Sequence, residues 1–140
     1  MNNLFVDTSG WANVFVSSEA YHSQAQQYFL NAWQAQRHFI TTSYIVAELV
    51  ALLQSPLRIP RNTIFQVVDA IKQSEHIQVI HITPEIDANA WQLCKARSDK
   101  TWSLVDCTSF VLMQQMGLQA ALTTDHHFEQ AGFVRLLKPE

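Results

Sequence analysis

Short apolar runs alternate along the chain with longer segments of helical periodicity. The runs "NLFVD", "HFITT", "IQVIHIT" and "AALTTD" are typical of short buried strands. Between them, apolar residues recur every three or four positions, as in "YHSQAQQYFLNAWQAQ" and "SYIVAELVALLQ". Strands that lack a polar face and alternate with helices predict a parallel sheet covered by helices. We therefore predict an α/β three-layer sandwich with a central, mostly parallel sheet of four or five strands.

We predict one domain spanning residues 1–140, because this length is typical of a single core. With 48% hydrophobic and 15% charged residues, the chain can bury a sizeable core. The net charge of −3 indicates no general basic surface. The most apolar segment, "YIVAELVALL", is about half a membrane span, and no signal sequence is recognisable. We expect a soluble, cytoplasmic protein without membrane contact. Cys94 and Cys107 lie in apolar helical segments without ligand spacing, which predicts buried, reduced thiols.

Four acidic residues stand in apolar surroundings. Asp7 and Asp125 each follow an apolar strand directly, Glu48 is the only charged residue between positions 38 and 57, and Asp106 the only one from 101 to 124. Burial of an ionised carboxylate costs several kcal/mol unless it is paired or bound to a metal. Ligand sites of parallel sheets lie at the carboxyl ends of the strands. Because hard oxygen ligands without His or Cys select Mg²⁺ or Mn²⁺, we predict that the four carboxylates share such a site.

Each carboxylate also has a purely structural interpretation. Asp7 fits an Asx-turn or a helix cap, and Asp125 fits the N-cap of the helix in "HHFEQ". Asp106 fits a favourable helix-start charge, in a capping box with Ser103. Glu48 fits a salt bridge to a distant arginine. These four explanations are independent of one another, whereas a shared metal site accounts for all four residues together.

The segments "FVDTSGW", "TSYIVAELV", "WSLVDCTSF" and "ALTTDHHF" resemble, in this order, the acidic motifs of PIN-domain ribonucleases. The resemblance covers nearly the whole chain, which is particularly similar to small stand-alone toxins of the VapC kind. It implies that Asp7, Glu48 and Asp106 hold a metal ion, and that Asp125 supports it or holds a second one. Ser9 would orient Asp7, contact a metal-bound water or simply form the turn. Some family members have an additional acidic residue near the third one. Because position 110 is Phe in this chain, Asp99 is the only candidate for that residue.

The resemblance also implies an activity and partners. Such domains cleave RNA phosphodiester bonds with Mg²⁺ or Mn²⁺, and stand-alone members act as toxins that pair with an antitoxin. A homodimer is implied as well, for which Tyr21, Tyr28 and Phe29 are candidate interface residues. Arg97 and Lys100 are candidate phosphate contacts, although ordinary solvated side chains would look the same.

Other classes of protein fit the pattern less well. A dehalogenase-type phosphotransferase needs Asp-x-Asp after the first strand, where this chain has Asp7-Thr8-Ser9. A receiver domain needs adjacent acids at its first turn. A non-catalytic RNA- or partner-binding PIN-like domain remains the main alternative. We assign His126 and His127 to a helix start, and expect Trp33, Trp91 and Trp102 to pack in the core.

Overall fold

Five parallel strands form a single sheet in the computed structural model, which describes residues 3–140. Their order is β3-β2-β1-β4-β5, and they span Leu4–Val6 (β1), Phe39–Thr42 (β2), Ile77–Ile80 (β3), Ala120–Leu122 (β4) and Val134–Arg135 (β5). The helices are Thr8–Phe15 (α1), His22–Gln34 (α2), Ser43–Gln54 (α3), Arg61–Gln73 (α4), Pro84–Ala96 (α5), Leu104–Met116 (α6) and His127–Gln130 (α7). The predicted α/β fold with a parallel sheet is confirmed.

The order of the strands reverses beside β1. The chain moves from β1 through β2 to the edge strand β3, and then crosses to β4 on the other side of β1. Right-handed connections in opposite directions place their helices on opposite faces of the sheet. The helix contacts agree, since α1 packs on α2 and α3, and α3 on α4, whereas α6 packs on α5 and α7. The crevice for a ligand is therefore expected where β1 and β4 end.

The central strands are buried and the edge strands are not. Leu4, Phe5 and Val6 of β1 are almost wholly inaccessible, because strands flank β1 on both sides and helices cover both faces. Strand β3 pairs only with β2, and its Gln78 is exposed. The segment with the clearest strand pattern in the sequence is thus an edge strand.

Helix α1 begins directly after β1 and approaches the sheet closely at Gly10. A Cβ atom at this position would lie 2.0 Å from the backbone oxygen of Leu122, at the end of β4. Only glycine permits this contact. The next residue, Trp11, is fully buried, and its indole N–H donates to Thr41 of β2 over 3.1 Å. The start of α1 is therefore fixed against the ends of the central strands.

Side-chain caps mark the starts of α1, α3, α5 and α6, whereas α2, α4 and α7 begin without one. Ser103 caps α6 in a capping box with Asp106, as predicted. Ser43, at the start of the predicted helical segment "SYIVAELVALLQ", would be expected as the N-cap of α3, but it is instead the first residue of this helix. Thr42 is the N-cap and accepts the N–H of Ile45, because the Ser43 hydroxyl accepts the N–H of Ile82 over 3.1 Å.

Two of the three tryptophans expected in the core lie at the surface. Trp33 is 40% exposed and Trp91 53%, because these helices turn only one side towards the sheet. Trp102 does pack against the core. Both cysteines are free thiols, with their sulfur atoms 2.9 Å apart, and Cys107 is buried while Cys94 is half-buried. Within residues 3–140, no helix combines the length and apolar character needed to cross a membrane.

Candidate active site

Asp7 is the most deeply buried of the four predicted acids, with 8% of its surface exposed. Its Oδ1 accepts the N–H of Gly10 over 2.9 Å and the hydroxyl of Ser9 over 2.8 Å. Its Oδ2 accepts the hydroxyl of Thr123 over 2.7 Å. These donors are neutral, and burial raises the pKa of Asp7 to about 7 against their opposing effect, with a smaller contribution from the charge of Asp125. Among residues 3–140, the hydrogen-bond donors to this central carboxylate therefore carry no positive charge.

Two hydroxyl groups connect Asp7 to the loop after β4. The Thr123 hydroxyl, which donates to Asp7, also accepts the N–H of Asp125 over 2.9 Å. The Ser9 hydroxyl accepts the N–H of Thr124 over 2.9 Å. The predicted supporting residue Ser9 thus binds Asp7 and the neighbouring strand end together. Thr123 was missed by the sequence analysis, although its place just before "TD" at a strand end was a usable signal.

Glu48 reaches the same region from α3. Its Oε1 accepts the hydroxyl of Thr8, the residue that follows Asp7. No salt bridge to Glu48 is found within residues 3–140, so the distant arginine of the structural interpretation is not seen there. Glu48 is exposed, and its other oxygen, Oε2, is open to a ligand.

Asp106 and Asp125 approach each other through one imidazole. Nδ1 of His127 lies 3.2 Å from Oδ2 of Asp106 and 3.3 Å from Oδ1 of Asp125. The N–H of His127 also donates to Oδ1 of Asp125 over 2.9 Å, and Oδ2 of Asp106 accepts the N–H of Ser103 over 3.0 Å. Asp106 therefore takes part in the capping box and faces the loop after β4 at the same time.

Three connections thus link the four acids. Asp7 is joined to Glu48 through the adjacent Thr8 and to Asp125 through Thr123, and Asp125 is joined to Asp106 through His127. A donor set of four carboxylates, one of them buried among neutral donors, suits a hard divalent cation such as Mg²⁺ or Mn²⁺. Potential ligand atoms within 4.8 Å of one another are found on Asp125, His126 and His127.

Asp99 has other partners. It binds the guanidinium group of Arg97 over 3.0 and 3.2 Å and lies 3.7 Å from Nζ of Lys100. The hydrogen bonds from Arg97 lower the pKa of Asp99 below its ordinary value. The Arg97 guanidinium also lies over the ring of Trp102, at 5.0 Å. The structure therefore places Asp99 in a surface ion pair with both candidate RNA-binding residues.

Comparisons with known proteins agree with the fold and identify the family. The family model of the PIN domain matches residues 4–134, and the chain belongs to this family. Over 138 residues it is 31% identical to the 23S rRNA-specific endonuclease VapC20 of Mycobacterium tuberculosis, a match that covers 98% of this chain and 99% of the relative.

Solved structures extend the comparison. The crystal structure of Mycobacterium tuberculosis VapC20, described as a Sarcin-Ricin loop cleaving toxin, matches with a TM-score of 0.82 and 28% identity. That match covers 98% of this chain and all of the other. FitAcB from Neisseria gonorrhoeae matches with a TM-score of 0.64 at 14% identity, over 97% of both chains, which shows the fold alone. The predicted family is confirmed.

Proposed function

We propose that this chain is a metal-dependent endoribonuclease whose active site consists of Asp7, Glu48, Asp106 and Asp125. The observation that carries the proposal is the burial of Asp7 among neutral donors, at the sheet edge where Asp125 also lies. The class of enzyme, an endoribonuclease of the PIN family, agrees with the family match and with a relative that is itself an endonuclease.

Mg²⁺ or Mn²⁺ is the cofactor that this donor set would hold. Asp7, Glu48 and Asp106 would bind the ion, and Asp125 would support them or hold a second ion. When bound, the ion supplies positive charge that binds the scissile phosphate and lowers the pKa of the attacking water. Ser9 and Thr123 keep the carboxylate of Asp7 in one orientation through their hydroxyl groups.

Structured ribosomal RNA is the substrate that we propose, because the 31% identical relative is specific for 23S rRNA. Arg97 and Lys100 would contact phosphates beside the site. Since Asp99 neutralises one of these two charges, the segment carries one net positive charge. An RNA substrate of this kind places the reaction in the cytoplasm.

Protein partners form a further part of the proposal. A toxin of this family is expected to pair with an antitoxin and to form a homodimer. Helices α1 and α2 expose large apolar side chains that such partners can cover, namely those of Phe15, Tyr28, Leu30 and Trp33. Light scattering after size-exclusion chromatography tests the dimer, and a monomeric mass at micromolar concentration would contradict it.

Cleavage of purified ribosomal RNA tests the proposed function. The parent protein should cleave with Mg²⁺ or Mn²⁺ and stop when EDTA is added. Asp7→Asn and Asp106→Asn should each reduce the rate by at least about a hundredfold, because a neutral amide cannot replace the charge of a metal ligand. Asp69→Asn, a change of an exposed acid on α4, is the matched control and should cleave at the parental rate.

The same experiment contains the outcomes that refute the proposal. Cleavage that persists in EDTA would exclude a metal-dependent reaction. Parental rates in both Asp7→Asn and Asp106→Asn would place the active site elsewhere. A parent protein that binds ribosomal RNA but leaves it intact under all conditions would support the non-catalytic alternative.

A further inference from the structure

His127 occupies the junction between two of the proposed metal ligands. Its imidazole is only 17% exposed and has Nδ1 within 3.3 Å of carboxylate oxygens from Asp106 and Asp125. These two acids belong to different elements, since Asp106 lies in the first turn of α6 and Asp125 in the loop after β4. His127 is therefore the side chain that connects these elements at the site.

The two neighbours of Nδ1 determine its chemical state. Both are carboxylate oxygens, which only accept hydrogen bonds when ionised, so Nδ1 must carry the proton. The other ring nitrogen, Nε2, lies 3.3 Å from the hydroxyl of Thr101. A hydroxyl donates or accepts, so this contact is satisfied whether the ring is neutral or charged. The imidazole thus donates its N–H to Oδ2 of Asp106, and Oδ1 of Asp125 lies beside the same nitrogen at 3.3 Å.

Protein donors converge on one oxygen of each acid. Oδ2 of Asp106 accepts the N–H of Ser103 and faces Nδ1 of His127. Oδ1 of Asp125 accepts the backbone N–H of His127 and faces the same Nδ1. Within residues 3–140, no protein donor reaches the second oxygen of either acid, Oδ1 of Asp106 or Oδ2 of Asp125. Each carboxylate is therefore held on one side and open on the other.

We propose that His127 is a positioning residue of the metal site, which holds Asp106 and Asp125 so that their open oxygens face the cation. This inference rests on the proposed function. Hydrogen bonds from outside the ligand shell restrict the rotation of metal-binding carboxylates, and their loss weakens metal binding by about ten- to a hundredfold. Among the contacts of residues 3–140, loss of the imidazole donor would leave Asp106 held by the Ser103 N–H alone and Asp125 by the backbone N–H of position 127 alone.

The neighbouring histidine provides a matched control. His126 has a side chain that is 64% exposed, and its Nδ1 lies 3.8 Å from Oδ1 of Asp125, beyond hydrogen-bonding distance. No contact between His126 and Asp106 is found within residues 3–140. The same substitution at positions 126 and 127 therefore separates a positioning role from a general effect of histidine near the site.

Two amide substitutions at position 127 test the donor itself. In His127→Asn the side-chain amide can place an N–H where Nδ1 stands, whereas His127→Gln places its amide near Nε2 and removes the donor to the acids. Both variants keep a polar side chain of similar size. Binding of Mn²⁺ to the whole protein is measured by the electron paramagnetic resonance signal of the free ion, and circular dichroism with a thermal melt checks the fold.

We expect His127→Gln to weaken Mn²⁺ binding about tenfold, His127→Asn to stay within about threefold of the parent, and His126→Gln to stay within about twofold. Equal binding by His127→Gln and the parent would overturn the inference, as would tighter binding. Equal weakening in His127→Asn and His127→Gln would also overturn it, since the ring would then ligate the ion or merely fill space. A parent that binds no Mn²⁺ would refute the proposed function itself, and the inference with it.

Discussion

Replacement of Asp7 by asparagine tests the electrostatic account of the site most directly. The amide oxygen can still accept the N–H of Gly10 and the hydroxyl of Ser9, as Oδ1 does in the parent. The amide N–H₂ would face Thr123, whose hydroxyl can reverse and accept from it while it donates to Ser9, 3.2 Å away. Asp7→Asn therefore removes the charge and leaves no buried group without a partner.

The pKa of Asp7 determines the sign and the size of the effect. It is about 7 in the folded protein and 3.8 for an ordinary aspartate, chiefly because burial disfavours the charged form. The native state therefore binds more protons than the unfolded state between these values, and the stability of the metal-free parent falls as the pH rises through this window. A difference of three pKa units corresponds to a loss of about 4 kcal/mol above pH 7.

The asparagine variant does not titrate at this position. The unfolding free energy of Asp7→Asn relative to the parent, measured in EDTA, should therefore rise by about 2–3 kcal/mol between pH 5 and pH 8. For a chain of 140 residues this corresponds to a relative gain in Tm of roughly 10 °C. Urea unfolding at the two pH values gives the free energies, with the exposed Asp69→Asn as the control.

Addition of Mn²⁺ at pH 8 should narrow the difference in unfolding free energy between the two proteins. A metal at about a hundred times its Kd stabilises the parent by about 2.7 kcal/mol and does little for a variant that has lost a ligand. A free-energy difference between variant and parent that stays constant from pH 5 to pH 8 would refute the reasoning, because Asp7 would then ionise as readily in the folded as in the unfolded protein.

The remaining predictions concern the backbone and hydroxyl contacts that support Asp7. Gly10→Ala places a Cβ 2.0 Å from the backbone oxygen of Leu122 and should destabilise the fold by about 3 kcal/mol or more, measured by urea unfolding. A loss of stability under about 1 kcal/mol would mean that α1 moves away from β4 freely. Thr123→Val removes the donor to Asp7 and the acceptor of the Asp125 N–H. It should lower the free energy of unfolding by about 1–3 kcal/mol and slow RNA cleavage. Parental stability and a parental cleavage rate would contradict the assigned contacts.

Local patterns in the sequence were sufficient to predict the elements and to single out the candidate acids. Short apolar runs indicated the strands, and the capping pair Ser103 and Asp106 placed the start of α6 correctly. These signals depend on interactions between residues close in sequence, so they can be recognised without the fold. Candidate acids stood out for a similar reason, since a charge within a long apolar segment conflicts with burial whatever its partners are.

Only the tertiary structure decided which distant residues meet. The strand order puts β4 beside β1, so that Thr123 can bridge Asp7 and Asp125. No local sequence pattern indicates that β1 and β4 are neighbours. The sequence analysis assigned His127 to a helix start, yet its ring faces an acid 21 positions earlier, in a separate helix. The close approach of Gly10 to the backbone oxygen of Leu122 likewise depends on how α1 packs against the end of β4. Sequence patterns determine local conformation and burial, whereas contacts across the sheet depend on how whole elements pack, and that packing set the geometry of the site.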